Sequence, residues 1–528
     1  MTAATPDADW WRGAVIYQVY PRSFQDSNGD GVGDLNGIAA RLPHIASLGV
    51  DAVWISPFFK SPMADMGYDV SDYRDVDPLF GTLGDFDRLI EEAHGLGLRI
   101  IVDQVLSHTS DQHLWFVDSR TSKTADKSDW YVWADAKPDG TAPNNWLSVF
   151  GGPAWEWDGV RMQYYMHSFL ASQPDLNLHN PAVQDELLDT IRFWLDRGVD
   201  GFRLDACNHY FHDQKLRDNP PAAAHGDKGS VQATNPYGFQ DHLYDKSQPE
   251  NLVFLKRLRG LLADYPGAIA LGEVGDEERS PATVQAYTSG DGHLHCSYTF
   301  DLFGTAFDPA HFRKIFEAFG QASDGGAVCW SISNHDVMRY VSRWTKPGDD
   351  PVAIARLAIN LLVSLRGPVC LYQGEELGLP EADLAFEDLR DPYGIRFWPA
   401  FKGRDGCRTP MPWEGDAPHA GFSATKPWLP VPAEHLPLAL DRQEGDPASV
   451  LSLYREAIGQ RRRHAVLSTG TLTFIESGDE DILAFVRADA GERLLCLFNF
   501  AREERSWQGE DDVVDLPPLG FARLPTEL

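Results

Sequence analysis

Three short acidic segments have the residue types and spacing to do chemistry. In GFRLDA, residues 201–206, Arg203 and Asp205 are two positions apart, so on a β-strand their side chains share one face. A guanidinium beside a carboxylate favours its charged form, and Asp205 is expected to be ionised, as a carboxylate nucleophile must be. In LGEV, residues 271–274, Glu273 closes an apolar run. Desolvation there raises a carboxyl pKa and suits the group to act as an acid. One charged and one protonated carboxyl is the pair that glycoside hydrolysis requires. NHD, residues 334–336, adds His335 and Asp336. Taken singly, Asp205–Arg203 reads equally well as a structural ion pair, Glu273 as a helix cap and His335–Asp336 as a loop hydrogen bond. Their convergence depends on the elements that carry them.

Apolar runs at 15–20, 52–56, 99–105, 201–206, 268–274, 296–301, 327–333 and 368–372 lack polar alternation, as strands buried on both faces do. Amphipathic stretches separate them. Leu42, Ile45 and Leu48 share a helical face, as do Phe86, Leu89, Ile90 and Ala93. The same holds for Leu187, Ile191, Trp194 and Leu195, for Leu255, Leu258, Leu261 and Leu262, and for the stretches 354–365 and 450–458. Strands alternating with helices predict an α/β fold, a parallel (β/α)8 TIM barrel; a doubly wound open sheet is the alternative. In a barrel, chemistry sits at the strand C-termini. That places Asp103, His108, Arg203, Asp205, Glu273, His335 and Asp336 on one rim. Residues 1–106 and 175–463 are the barrel in this reading. Residues 107–174 are too many for a loop and form an inserted domain after strand 3. A polar insertion covers 213–250. A C-terminal antiparallel β domain covers 464–528, with strands expected at 471–475, 482–486 and 494–498.

DQVLSH (103–108), GFRLD (201–205), GEV (272–274) and NHD (334–336) resemble, in order, the four signature regions of glycoside hydrolase family 13, the α-amylase family. QPDLN (173–177), GRDGCRTPMPW (403–413) and the opening VIYQVYPRSFQDSNGDGVGDL (15–35) are similar to its α-glucosidase and oligo-1,6-glucosidase subgroup. The resemblance spans essentially the whole chain. It implies Asp205 as nucleophile, Glu273 as general acid/base and Asp336 as transition-state stabiliser on the 2- and 3-hydroxyls of the sugar. It implies His108 and His335 as donors to the same glucosyl unit, with Tyr68 stacked beneath the ring. Asp65 and Arg404 would pair near its 4-hydroxyl and close the pocket. Phe150 and Phe169 are expected as apolar walls, and Arg203 as partner of the nucleophile and one of the residues against substrate. The implied activity is that of a retaining exo-α-glucosidase for small α-glucosides, its acid pair about 5–5.5 Å apart. In the subgroup, Ala at the position of Ala206 accompanies α-1,4 preference and Val accompanies α-1,6. A sucrose hydrolase, a transglucosylating enzyme and an oligo-1,6-glucosidase are the alternatives within the family. The non-catalytic transporter subunits that resemble it lack the acid pair present here.

Asp26, Asn28 and Asp30 with Gly31 match positions 1, 3, 5 and 6 of an EF-hand loop, Val32 offers a carbonyl at position 7, and Asp34 falls at position 9. The twelfth position is Gly37 rather than Glu, so the loop is not an EF-hand. Its resemblance to the calcium site of α-glucosidases implies a structural Ca²⁺, with Mg²⁺ as the alternative. Ser107 stands where the first signature region carries Asn, a ligand of the interdomain calcium of α-amylases; this departure weakens an endo-amylase reading.

The 528 residues include 78 acidic and 46 basic side chains, a formal charge of −32. Such a balance excludes broad binding to nucleic acid or to an anionic membrane surface. Residues 1–9 have neither the basic start nor the apolar core of a secretory signal, and 353–365 is too short and polar to span a bilayer, so a cytoplasmic location is expected. No C-x-x-C pair, G-x-S-x-G elbow, P-loop or H-E-x-x-H is present, which removes the chemistries those motifs carry. Composition says nothing of oligomeric state.

Overall fold

The computed structural model describes residues 8–223, 231–290, 292–320, 327–509 and 513–527. Parts of the expected segments, residues 1–7, 224–230, 291, 321–326, 510–512 and 528, lie outside the described residues. Eight strands form the central sheet: β1 (Val15–Val19), β2 (Ala52–Ile55), β3 (Arg99–Val105), β4 (Gly201–Asp205), β5 (Ile269–Val274), β6 (Cys296–Thr299), β7 and β8 (Val369–Tyr372). The run expected at 327–333 is not one strand. β7 is split into Ala327–Val328 and Trp330–Ser331. All pairings are parallel, in the order β7–β6–β5–β4–β3–β2–β1–β8–β7. The first piece of β7 pairs with Cys296 and Ser297, the second with Val369 and Cys370. The ring closes between them at Cys329, whose N–H donates to the Ser297 carbonyl at 2.9 Å. Closure makes this a (β/α)8 barrel and excludes the open sheet. β1, β4, β5 and β8 are buried at every position, which is why they read as unbroken apolar runs.

Around them lie α1 (Leu35–Ser47), α2 (Leu83–Gly95), α3 (Pro181–Leu195), α4 (Asn251–Leu262), α5 (Ser280–Thr288), α6 (Pro309–Gly320), α7 (Pro351–Val363) and α8 (Val450–Arg463). Local chemistry starts them. Asp34 caps α1 by accepting from Gly37 N–H, Thr82 and Asp85 form a reciprocal capping box on α2, and Pro181 and Pro351 follow the caps Asn180 and Asp350. The apolar faces expected on α2, α3 and α4 are buried. α5 and α6 add to the pattern read from sequence. α5 buries Ser280 and Thr288 beside Val284 and Tyr287, too polar a stripe to stand out. α6 buries Phe312, Ile315, Phe316 and Phe319, a helical spacing that the sequence does carry.

Between β3 and α3 lies a small antiparallel sheet of Trp133–Ala134, Gln163–Met166 and Trp155–Asp158. Aromatic rings supply much of its packing: Phe116 stacks on Trp133 at 5.6 Å and meets Tyr131 and Tyr165 edge-on at 5.0 and 5.2 Å. The chain after β4 clamps this insert, with Trp146 Nε1 donating to the Arg217 carbonyl and Asn145 Nδ2 to that of Asn219, each at 2.8 Å. Asp175 ties it back to the barrel. Asp175 bridges to His108 through the backbone, and its carboxylate accepts from the Ser168 hydroxyl at 2.6 Å. Burial pushes Asp175 up to about 7 against those bonds.

The C-terminal region holds a four-stranded antiparallel sheet, Thr471–Phe474, Ile482–Ala488, Arg493–Asn499 and Phe521–Pro525, and a two-stranded ribbon, Arg505–Gln508 with Val513–Leu516. Two buried arginines join this region to the barrel, and neither makes an ion pair among the described residues. Arg461 donates to the carbonyls of Val363 and Leu365 at 2.7 and 2.8 Å and to that of Leu467 at 3.1 Å. Arg487 donates to the Ser364 carbonyl after α7 and to those of Leu467, Gly470 and Thr471 at 2.6, 2.8 and 3.0 Å. Val363 ends α7, where carbonyls lack intrahelical partners and the helix dipole is negative. Among the described residues no helix is long and apolar enough to cross a membrane.

Two outcomes follow from these contacts. Arg487→Ala strands several buried carbonyls and should lower the unfolding free energy in urea by about 3 kcal/mol; a change within experimental error would show that water replaces the guanidinium without loss. Asp175 has its pKa near 7 when folded and near 4 when unfolded. Its stabilisation is therefore full below pH 4 and lost as pH rises through 7. Asp175→Asn removes that dependence, so the variant should gain on the wild type by at most roughly 4 kcal/mol between pH 4 and 8. A difference that stays constant with pH would exclude this titration.

Candidate active site

Barrel register brings the acids together. β3 pairs Asp103 with Arg203, β5 pairs Gly272 with Leu204 so that Glu273 lies beside Asp205, and β6 pairs Tyr298 with Glu273. Arg203 is fully buried and is their common partner. Its Nη1 lies 2.7 Å from both Asp103 Oδ1 and Asp205 Oδ1, and its Nη2 lies 2.6 Å from Glu273 Oε1. The Tyr298 hydroxyl accepts from Arg203 Nη2 at 2.8 Å and donates to Glu273 Oε1 at 2.6 Å. The Ala206 N–H donates to Glu273 Oε2 at 2.8 Å. It does so from a left-handed turn, φ 39° and ψ 46°, where any β-carbon is crowded and a β-branched side chain most of all. A β-carbon on Gly272 would sit 2.6 Å from Leu294 and from Ser297 Oγ, so only glycine lets β5 approach this closely.

Burial pushes Asp205 well above the usual carboxylate range; Arg203 opposes the rise, and Glu273, Asp103 and Asp336 add to it. One guanidinium serves three carboxylates and cannot hold each of them low. Burial likewise raises Asp103 to about 6. The firmly ionised acid is Asp336. Burial resists its ionisation, but His335, Arg404 and Arg408 together hold it well below the ordinary range. Arg404 Nη1 and Arg408 Nη2 reach its Oδ1 at 3.0 and 2.9 Å.

Arg404 also closes one end of the site. It grips Asp391 through Nε at 3.1 Å and Nη2 at 2.8 Å, and Nη2 reaches Asp65 Oδ1 at 2.8 Å. Gly403, at φ 83°, makes room for that grip, since a β-carbon there would lie 2.7 Å from Asp391 Oδ2. The guanidinium lies over Phe150 at 4.9 Å, Phe150 meets Phe169 edge-on at 5.7 Å, and Phe169 packs on His108 at 5.2 Å.

Asp65, Tyr68, His108, Phe150, Phe169, Asp205, Glu273, Asp336 and Arg404 line one cavity of about 680 Å³. Arg203 and His335, expected against substrate, lie buried and are not among the lining residues. Gln18 Nε2 donates to His335 Nδ1 at 2.7 Å, leaving Nε2 to donate to the Tyr68 hydroxyl at 2.5 Å, which in turn donates to Asp103 Oδ2 at 3.0 Å. The His335 ring stacks on Tyr68 with centroids 5.3 Å apart. His335 Nε2 also lies 3.3 Å from Asp336 Oδ2, so the ring backs both Tyr68 and Asp336. Burial lowers His108 to about 4, so it is neutral near pH 7. Ser107 hydrogen-bonds its Nδ1 at 2.9 Å.

Four residues of this network escaped the sequence reading of roles. Asp391 precedes Pro392, a helix-start signal, and Arg408 lies in the GRDGCR segment already singled out. Tyr298 and Gln18 are lone polar residues in buried strands and gave no signal.

The loop at 26–34 is organised by its own hydrogen bonds. Asp26 accepts from the N–H groups of Asn28, Gly29 and Gly31 and from the Ser423 hydroxyl, and Asn28 and Asp30 each accept from the amide two residues on. Among the described residues no group of three or more His, Cys, Asp or Glu side chains is placed to hold a metal ion. The donors Asp26, Asn28, Asp30, Val32 and Asp34 are all oxygen, a set that suits a hard cation once the Asn28 amide and Val32 carbonyl are counted.

Residues 18–470 match the family described as alpha amylase, catalytic domain. A Rhizobium meliloti (strain 1021) protein described as "Probable alpha-glucosidase" is 58% identical over 500 residues, which cover 94% of this chain and 90% of that protein. An oligo-1,6-glucosidase of Heyndrickxia coagulans is 36% identical over 540 residues, 96% of this chain and 94% of that one. The crystal structure of an alpha-glucosyl transfer enzyme, XgtA, matches with a TM-score of 0.93 at 55% identity, covering 99% of this chain and 98% of that one. The trehalulose synthase MutB of Pseudomonas mesoacidophila MX-45 matches with a TM-score of 0.87 at 34% identity, over 98% of this chain and all of that one. The chain belongs to the α-amylase family, glycoside hydrolase family 13, and is a glycoside hydrolase.

Proposed function

We propose that the protein is a retaining, exo-acting α-glucosidase that releases glucose from the non-reducing end of small α-linked saccharides, with α-1,4 linkages favoured. The observation that carries this reading is the closed end of the cavity, where Arg404 binds Asp65, Asp336 and Asp391 at once. A sugar seated there has its 4-hydroxyl against an ion-paired wall. Retention is supported by the placement of Asp205 and Glu273 side by side on adjacent strands, which run about 4.8 Å apart, within reach of one guanidinium.

In this mechanism Asp205 attacks the anomeric carbon while Glu273 protonates the leaving oxygen. Positive charge developing at the anomeric carbon favours ionised Asp205, and Glu273 brings the proton that the leaving oxygen takes. Water, deprotonated by Glu273, then hydrolyses the glucosyl–Asp205 ester. Asp336, kept charged by its arginines, accepts from the 2- and 3-hydroxyls. Transfer to a second sugar in place of water is the other reading, supported by the likeness to the transfer enzyme XgtA. The loop at 26–34 takes a divalent cation, Ca²⁺ or Mg²⁺, in a structural role apart from these steps, and bridges to the chain at Ser423.

Initial rates on a panel of α-linked disaccharides, with the product anomer followed by NMR, test the proposal. Maltose should exceed isomaltose and α-glucose should appear first; initial β-glucose or a large excess for isomaltose would overturn it. Ala206→Val should shift the ratio toward α-1,6, and the strain of a β-branched residue in a left-handed turn should cost about 1–2 kcal/mol of stability. Chelation should lower Tm, with recovery on adding Ca²⁺, and Asp26→Ala should abolish the response. A Tm indifferent to chelator in the wild type would refute the metal loop.

A further inference from the structure

We propose that Tyr298 is a positioning residue for the acid/base, committing Glu273 Oε1 to fixed donors so that Oε2 carries the transferred proton. The inference rests on the acid/base role proposed for Glu273. Each carboxylate oxygen has two lone-pair sites. Oε1 accepts from the Tyr298 hydroxyl at 2.6 Å and lies 2.6 Å from Arg203 Nη2 in an ion pair, so a proton placed there would face a cation. Oε2 accepts from the Ala206 N–H at 2.8 Å and keeps a site for a proton.

The direction of the Tyr298 hydrogen bond is set by its surroundings. Its oxygen accepts from Arg203 through Nη2 at 2.8 Å and Nε at 3.2 Å. Arginine has no acceptor, so the phenolic proton is left for Glu273. Tyr298 is 1% exposed, sits in register with Glu273 on β6, and has its ring held by Trp54 at 5.9 Å and Phe303 at 6.5 Å. The hydroxyl therefore cannot swing elsewhere. The other groups facing Glu273 are Arg203 and Asp205 from β4, Cys207 after it, and Asp103 from β3. Burial raises Cys207, so that thiol stays protonated and adds no charge.

In the first step the proton leaves Oε2 for the glycosidic oxygen as that bond to the anomeric carbon breaks and the Asp205 bond forms. Tyr298 and Arg203 stabilise the carboxylate that remains. In the second step Oε2 takes a proton from the attacking water as the Asp205 ester bond breaks.

Tyr298→Phe keeps the ring and removes only the hydroxyl. Its kcat/KM for maltose should fall about 10–100-fold, the worth of one hydrogen bond to a charged group. For 2,4-dinitrophenyl α-glucoside, whose leaving group needs little protonation, the loss should stay within about 3-fold. The alkaline limb of the maltose pH profile should move up by about one unit, because carboxylate Glu273 loses a donor. With 3-fluorotyrosine at position 298, a stronger donor, the limb should move the other way. Equal losses on both substrates, or an unmoved limb, would overturn the proposal. Glu273→Gln separates the two levels. It should lose maltose turnover but keep most of its kcat/KM on the dinitrophenyl substrate, which reports the first step, while its kcat falls because no base then activates the water. If it cleaves maltose at the wild-type rate, the acid/base assignment itself fails, whatever Tyr298→Phe does.

Discussion

One buried guanidinium holds the centre of this molecule together. Arg203 reaches Asp103, Asp205 and Glu273, all within 2.7 Å, and has no exposed surface. Removing a cation and three carboxyls from water is expensive, and only close, hydrogen-bonded geometry returns enough of that cost. Flexible loops would not hold such geometry. Here three neighbouring strands, β3, β4 and β5, supply the four groups, and the pairing of Asp103 with Arg203 fixes their level in the barrel. The tightness of the strand packing, down to the missing side chain at Gly272, is a condition of the charge cluster.

A second set of cations divides the labour. Arg404 and Arg408 share Asp336, and neither reaches Asp205 or Glu273 among the described ion pairs. Asp336 is thus held charged, while Asp103, Asp205 and Glu273 share one guanidinium. The floor joins the two sets through a relay from Gln18 to His335, Tyr68 and Asp103. The insert between β3 and α3 then supplies Phe150 and Phe169. It is anchored at Asp175 and by the chain after β4, so the apolar wall and the charged floor come from separate units tied at few points.

What the sequence revealed, and what it concealed, follows from this layout. Fully buried strands announce themselves as apolar runs, so β1 to β6 and β8 were legible to within two residues. The pairing of Arg203 with Asp205 was legible because spacing of two on a strand is a local pattern. The raised state of Asp205 was not, because it comes first from burial in the closed barrel and then from Glu273, Asp103 and Asp336, which neighbouring strands and the loop after β7 bring close. The same holds for Tyr298, an ordinary strand residue until register sets it opposite Glu273. The break in β7 escaped because Cys329 and its neighbours are as apolar as a continuous strand. His335 was legible as a site residue through its motif, but its burial behind Tyr68 depends on Gln18, more than three hundred positions away.

A retaining mechanism asks one carboxyl to give a proton and then take it back. Glu273 accepts one hydrogen bond on each oxygen, and its Oε1 also lies 2.6 Å from Arg203 Nη2. Asp205 accepts from Arg203 at 2.7 Å, yet burial raises its carboxyl above the usual range. Under the proposed mechanism Asp205 must be ionised when it attacks. Positive charge beside it favours that form, and a glycosidic bond beginning to break supplies such charge at the anomeric carbon. A sugar placed so that this carbon faces Asp205 would therefore help to ionise it, whereas a misplaced one would not. In that proposal the wall formed by Asp65, Arg404 and Asp391 fixes the placement. Selectivity for the glucosyl unit and ionisation of the nucleophile would then be two consequences of the same contacts, even though Arg404 makes no described ion pair with Asp205 or Glu273.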